Sequence, residues 1–157
     1  MMKKTISTEE AYIKLSALCA SAEHCSGEMV EKMQRWGLSE KAQAQILAKL
    51  TEKQFIDDER FCRAFVKDKI RYNKWGRRKI EQALYMKHVD KGIQQRVLDE
   101  IDPSEYVEIL RQLLQQKRKT IHAANDYEMN GKLMRFALQR GFTMDIIHQC
   151  IDDDQLL

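Results

Sequence analysis

The chain has 157 residues, of which 43% are hydrophobic and 32% charged, and its formal net charge at pH 7 is +3. This is enough for one domain with a core of its own or for a short array of smaller units. No run of about 18 apolar residues occurs, which excludes a membrane-spanning helix. With one Pro and six Gly among long helix-compatible runs, the expected fold is all-α. The opening MMKKTISTEEAY lacks the apolar stretch of a signal peptide, so a cytoplasmic protein is expected.

Start and stop signals predict about nine helices. Ser7, with Glu10 three residues on, forms a capping-box pattern that opens a helix ending near Ser21. Ser26 is expected to cap a second helix that Gly37 ends, and Ser39 a third that carries Ile46, Leu47 and Leu50. The acids Asp57, Asp58 and Glu59 suit the positive end of a fourth helix, which Trp75 and Gly76 break. A fifth is predicted over 77–87 and a sixth over about 90–101. Asp102-Pro103-Ser104-Glu105 is the clearest start, with an N-cap Asp and Pro at the first position, and its helix can extend to Ile121. The last two are predicted over about 125–140, ended by Gly141, and 143–153.

These helices fall into three groups of three, approximately residues 8–54, 57–101 and 103–153. The stretches KMQRWGLSEKAQAQIL, ALYMKHVDKGIQQRVL and FALQRGFTMDIIHQCI share one plan: an apolar helix end, a stop, an apolar residue (Leu38, Val89, Phe142), then apolar pairs. The stops Gly37, His88 and Gly141 are 51 and then 53 residues apart. A three-helix unit of this size buries little surface alone, so the units are expected to stack. Gly37 and Gly141 fit a left-handed helix stop. His88 in that place is tolerable but costs more than Gly, unless its turn has another shape.

Charge is unevenly placed. From Arg60 to Lys91 there are eleven Lys or Arg against three acids, a local +8, while the remainder sums to −5 and ends in Asp152, Asp153 and Asp154, which would repel nucleic acid. On the fourth helix, Phe61, Phe65 and Tyr72 share one side, flanked by Cys62 and Ala64, and are expected to pack. Arg60, Arg63, Lys67, Arg71 and Lys74 occupy an arc of roughly 80° on the other, with no interleaved acid on that face. Arg77, Arg78 and Lys79 follow at the next helix start, against the positive end of its dipole, where a bound anion would relieve them. Trp75 is expected to be exposed at this corner. These eight cations are the candidate contact residues for an anionic partner, either DNA phosphate or acidic protein surface.

Catalytic signals are absent. There is no Gly-rich phosphate loop, GxSxG or HExxH, and His24, His88, His122 and His148 sit in separate elements. Cys19, Cys25, Cys62 and Cys150 form no CxxC pair and match no zinc framework, so reduced thiols are expected, and His24 beside Cys25 reads as a neighbour pair near a helix end. No enzyme, cofactor or metal is predicted. One function compatible with the stripe is a free-standing, non-sequence-specific DNA-binding protein of tandem helix-turn-helix-like units. The helix after Trp75 offers few base-reading side chains beyond its first turn, so operator recognition is not supported.

The string Phe55-Ile56-Asp57-Asp58-Glu59-Arg60-Phe61, continuing through Cys62, Ala64, Phe65 and Val66, closely resembles the central signature of the RecX family, regulators of the RecA recombinase. Gly76-Arg77-Arg78-Lys79-Ile80 with Leu84 is similar to the family's next segment. Lys132-Leu133, Arg135-Phe136, Leu138, Arg140-Gly141-Phe142 and Ile146-Ile147 resemble its closing stretch, so the likeness runs from about Thr8 to Ile151. His88 departs from the glycine usual in the middle unit's turn. The resemblance implies tandem three-helix repeats in an elongated, curved molecule with a non-enzymatic role. It implies a monomer that lodges in the groove of the RecA–single-stranded DNA filament and limits filament growth, ATPase, strand exchange and coprotease activity in DNA repair, recombination and the SOS response. It carries over no set of binding residues; the eight candidates come from the charge pattern.

Overall fold

The computed structural model describes residues 6–151, so Asp152, Asp153 and Asp154 lie outside the described residues. The described residues form nine α-helices and no strand: α1 (Thr8–Ser21), α2 (Ser26–Arg35), α3 (Glu40–Glu52), α4 (Asp58–Arg71), α5 (Arg77–Met86), α6 (Lys91–Asp99), α7 (Pro103–Arg118), α8 (Asp126–Gln139) and α9 (Met144–Ile151). They make three tandem three-helix repeats, α1–α3, α4–α6 and α7–α9. None of these helices is long and apolar enough to cross a membrane.

Most starts follow the predicted caps. The side chains of Ser7, Ser39 and Asn125 accept from the backbone N–H three residues on, at 3.1, 3.1 and 2.9 Å, and Asp102 accepts from Ser104 N–H at 3.0 Å. The start of α2 differs from expectation. Cys25 is its N-cap residue, and Glu28 reaches back to accept from Cys25 N–H at 3.0 Å. Ser26 lies inside the helix and donates both its N–H (2.7 Å) and its hydroxyl to the carboxylate of Asp58. A side-chain acid from the next repeat thus serves a donor that local sequence would leave to water. The helix of Asp102 stops at Arg118, short of Ile121.

The three predicted stops share one geometry. Gly37, His88 and Gly141 all have positive φ, 75°, 59° and 90°. At each, the stop residue donates to the carbonyl three back and the next residue to the carbonyl five back of itself: Leu38 to Met33 O (3.1 Å), Val89 to Leu84 O (3.2 Å), Phe142 to Ala137 O (3.1 Å). This is the Schellman arrangement, and it requires the left-handed residue whatever its side chain. Two corners carry a further shared bond, because Gln43 Nε2 and Gln94 Nε2 each donate at 2.9 Å to the carbonyl of the apolar residue after the stop.

By their packing the residues form two compact units. The first runs through Ala64 and includes Leu84–Gln94; the second holds Phe65–Ala83 and continues from Gln95. In the first, Ala11 and Leu15, Met29 and Met33, and Ile46 and Leu50 bring an i, i+4 pair from each of α1, α2 and α3 into a core closed by Ile56. In the second, Tyr106, Val107, Leu110 and Leu114 of α7 and Leu133 and Ala137 of α8 are buried, with Ile146, Ile147, Cys150 and Ile151 of α9. Complete burial of such side chains contributes about 1.5–3 kcal/mol each.

Each unit also contains a contact that only glycine allows. A Cβ on Gly27, in the first turn of α2, would lie 2.1 Å from Lys87 O at the α5–α6 corner. A Cβ on Gly76, just before α5, would lie 2.4 Å from Phe142 N and 2.5 Å from Gly141 O at the α8–α9 corner. There the Gly76 N–H donates to Arg140 O at 2.8 Å and the Arg78 N–H to Gly141 O at 3.0 Å. Gly76→Ala is therefore expected to destabilise by about 1–3 kcal/mol through forced backbone displacement. Gly131, inside α8 with nothing within 4 Å of a built Cβ, predicts the opposite sign. Gly131→Ala should stabilise by about 0.5–1 kcal/mol. Urea midpoints at constant m-value check both.

Candidate functional site

α4 starts because Asp57 Oδ1 accepts from Arg60 N–H at 3.1 Å, and it turns Phe61, Cys62, Val66 and Ile70 inward. Phe65 is half-buried, with Lys69 Nζ 5.1 Å from its ring centroid. Tyr72 does not pack: the helix ends at Arg71 and the ring is 73% exposed. Ala64 is exposed as well. The apolar arc is centred nearer Cys62 than the aromatic spacing implied, because small and branched side chains fill it.

The predicted cationic stripe divides. In the first unit, Arg60 Nε pairs with Glu23 Oε1 at 2.7 Å, and its Nη2 donates to Gln54 O at 3.2 Å, where α3 has just ended. Arg63 Nη1 pairs with Glu59 Oε2 at 3.3 Å, one turn back on α4. The stripe is thus partly neutralised, contrary to the expectation that no acid relieves it. Glu59 was legible at i−4, whereas Glu23 is 37 residues from Arg60 and reaches it only through the fold. The three neighbouring acids have three separate partners: Asp57 caps α4, Asp58 holds Ser26 and Glu59 holds Arg63.

In the second unit, Lys67 and Arg71 are exposed, and neither has an ion-pair partner among the described residues. Lys74 lies beyond the helix with φ 58°, so it does not continue the helical stripe. It still lines the same groove, of about 400 Å3, with Lys67, Ile70 and Arg71 on one side and Ile101, Glu105, Glu108, Ile109 and Gln112 on the other. Glu105 and Glu108 are exposed and share one face of α7. The sequence shows that face but carries no sign that α7 lies beside α4.

The three cations before and within α5 also separate. Arg77 is a clamp: its Nε lies 3.0 Å from Glu81 Oε1, and its Nη2 lies 2.8 Å from Asp99 Oδ1 and 2.9 Å from Gln95 Oε1. Partial burial pulls the guanidinium pKa down, but the bonds to Asp99 and Glu81 outweigh it and hold it above the usual value. Two N–H groups at this helix start, those of Gly76 and Arg78, already donate to the carbonyls of Arg140 and Gly141. Trp75 is half-buried rather than exposed, with the ammoniums of Lys69 and Lys79 5.1 and 4.9 Å from its ring centroid. Such contacts contribute about 0.5–1 kcal/mol each at partly exposed sites. Arg78 is exposed, with no ion-pair partner among the described residues.

The cysteines are unbridged. Burial pushes the Cys25 thiol up to about 12, which keeps it protonated and unreactive. Beside it, His24 Nδ1 faces Glu28 Oε2 at 3.6 Å. Among the described residues no group of three or more His, Cys, Asp or Glu could hold a metal ion.

Residues 57–98 match the family model described as RecX, second three-helix domain, and residues 104–151 the one described as RecX, third three-helix domain. The chain is 30% identical over 135 residues to the regulatory protein RecX of Acinetobacter baylyi, covering 86% of this chain and 82% of that protein. It is 28% identical over 126 residues to the regulatory protein RecX of Caldanaerobacter subterraneus subsp. tengcongensis, covering 80% of this chain and 60% of that one. The chain thus spans about 60% of the length of several curated relatives that it matches. The fold is similar to the crystal structure of RecX from Lactobacillus salivarius, with a TM-score of 0.85 at 20% identity over 96% of this chain and 97% of that one.

The division of the cations predicts unequal effects of neighbouring substitutions. Arg77→Met should destabilise by about 1–2 kcal/mol, the size of lost charged hydrogen bonds after solvent screening at the exposed Asp99. Arg78→Gln should stay within about 0.5 kcal/mol of the parent. Paired urea titrations measure the difference.

Proposed function

This chain belongs to the RecX family, and from that premise we propose that it is a negative modulator of the RecA recombinase. It binds the RecA–single-stranded DNA filament and limits filament growth, ATPase and strand exchange. It works in the cytoplasm as a monomer, in DNA repair and recombination and in the SOS response, with no catalysis of its own. The observation that carries a binding role is the group of cations the fold leaves unused. Lys67, Arg71 and Arg78 are exposed without ion-pair partners among the described residues, whereas Arg60, Arg63 and Arg77 are held by acids of the same chain. Unpaired cations on a helix face repel one another, and an anionic surface converts that repulsion into attraction. The partner surface supplies that anion as carboxylate or as phosphate.

Titrating the protein into cognate RecA on single-stranded DNA should lower the ATPase rate and shorten filaments at near-stoichiometric amounts. The Lys67→Glu, Arg71→Glu double variant should need about tenfold more protein for the same inhibition, equivalent to about 1.4 kcal/mol of contact energy. Helicity and Tm should be nearly unchanged, because neither side chain holds the fold together. Absence of any response to the parent protein in excess would overturn the filament reading. Tight, steeply salt-dependent binding to bare DNA without RecA would favour a free-standing DNA-binding protein instead.

A further inference from the structure

Resting on that filament-binding reading, we infer that the groove between the C-terminal half of α4 and α7 receives a protein segment rather than nucleic acid. Its occupant is an amphipathic helix of the partner with carboxylates along one edge and Lys or Arg along the other.

The two walls have opposite charge. Lys67, Arg71 and Lys74 line one side and Glu105 and Glu108 the other, with Ile70, Ile101 and Ile109 between them. Among the described residues none of these five charged groups forms an ion pair with another, so both walls keep their charge available. A phosphodiester strand satisfies only the first wall. The carboxylates of Glu105 and Glu108 line the same groove of about 400 Å3 as the cations. Phosphate there would meet like charge across the groove, which selects against it.

The spacing points the same way. Positions 67, 70, 71 and 74 on one side and 105, 108, 109 and 112 on the other both follow the i, i+3, i+4, i+7 pattern, although Lys74 has already left the helix. The α7 wall extends about 10 Å, two helical turns, and the helical part of the α4 wall about 6 Å, with Lys74 just beyond it. Two charged stripes with isoleucines lining the same groove match a helix laid into it, whose own apolar ridge would cover the three isoleucines. A nucleic-acid backbone has no such ridge. Glu105 lies in the first turn of α7, where the helix dipole already favours an acid. Glu108 lies a turn further on and lacks that local reason, so it is the more decisive position.

The test uses the full chain, cognate RecA on single-stranded DNA, and a bare single-stranded oligonucleotide. Glu108→Lys should raise the concentration for half-inhibition of the ATPase about tenfold. The Glu105→Gln, Glu108→Gln double variant, which keeps the helix start free of new cations, should raise it about threefold. Binding of either variant to the bare oligonucleotide, read by fluorescence anisotropy, should be unchanged or tighter. Inhibition equal to or stronger than the parent's in the double variant overturns the inference, stronger inhibition being the signature of phosphate in the groove. If Glu108→Lys loses helicity by circular dichroism, the double variant alone decides. A parent protein that fails to inhibit RecA rejects the filament reading itself, an outcome distinct from loss of the groove's role.

Discussion

The contact on which much else depends is the approach of a helix N-terminus to a left-handed corner of the following repeat. It occurs once in each compact unit: the first turn of α2 against Lys87–His88, and the start of α5 against Arg140–Gly141. The partners are complementary before any side chain is considered. A helix start has N–H groups without acceptors, and a helix end has carbonyls without donors. At α5 the two sets satisfy each other directly, over 2.8 and 3.0 Å. The approach is short enough that Gly27 and Gly76 have no room for a Cβ, so packing sets their identity more than chain flexibility does. The left-handed stop residue completes the arrangement by turning the last carbonyls outward.

This contact explains why a run of cations so conspicuous in the sequence is not a uniform surface. Docking the start of α5 commits the Gly76 and Arg78 N–H groups to carbonyls of the same chain, and beside them Arg77 is held by Asp99 and Gln95. Arg60 is similarly drawn toward Glu23 and the end of α3. Their energy goes into holding the chain together. Lys67 and Arg71 lie on the same helix face but meet no acid across the groove within ion-pair distance, and their charge faces outward. A helical wheel shows the i, i+4 acids Glu59 and Glu81 beside Arg63 and Arg77, but not Glu23 or Asp99, which folding brings to Arg60 and Arg77.

The stops show how far local chemistry can be read. Gly37 and Gly141 announced left-handed corners, whereas the sequence left the shape of the turn at His88 open, and the structure gives it the same left-handed φ of 59°. The structure gives all three the same pair of backbone bonds. Helix starts were legible wherever a short polar side chain serves its own helix, as at Ser7, Ser39, Asp102 and Asn125. They were misread where the partner comes from elsewhere. Ser26 looks like a cap, yet its donors go to Asp58, and the start of α2 is completed by the thiol residue before it and by Glu28. Tyr72 shared the aromatic side of the wheel, but the helix stops one residue too early to carry it inward.

The amino-acid sequence by itself determined the number and order of the helices, the left-handed corners at Gly37 and Gly141, and the inward side of α4 near Phe61 and Cys62. All of these depend on interactions within about five residues or on periodicity that survives without knowledge of the fold. Only the tertiary structure decided that Glu23 holds Arg60 and Asp99 holds Arg77, while Lys67 and Arg71 are left presented. It alone set Glu105 and Glu108 opposite Lys67 and Arg71. The physical reason is range. Caps and stops close between neighbours along the chain, whereas the balance of charge at a surface is set by groups that folding brings together from dozens of residues apart.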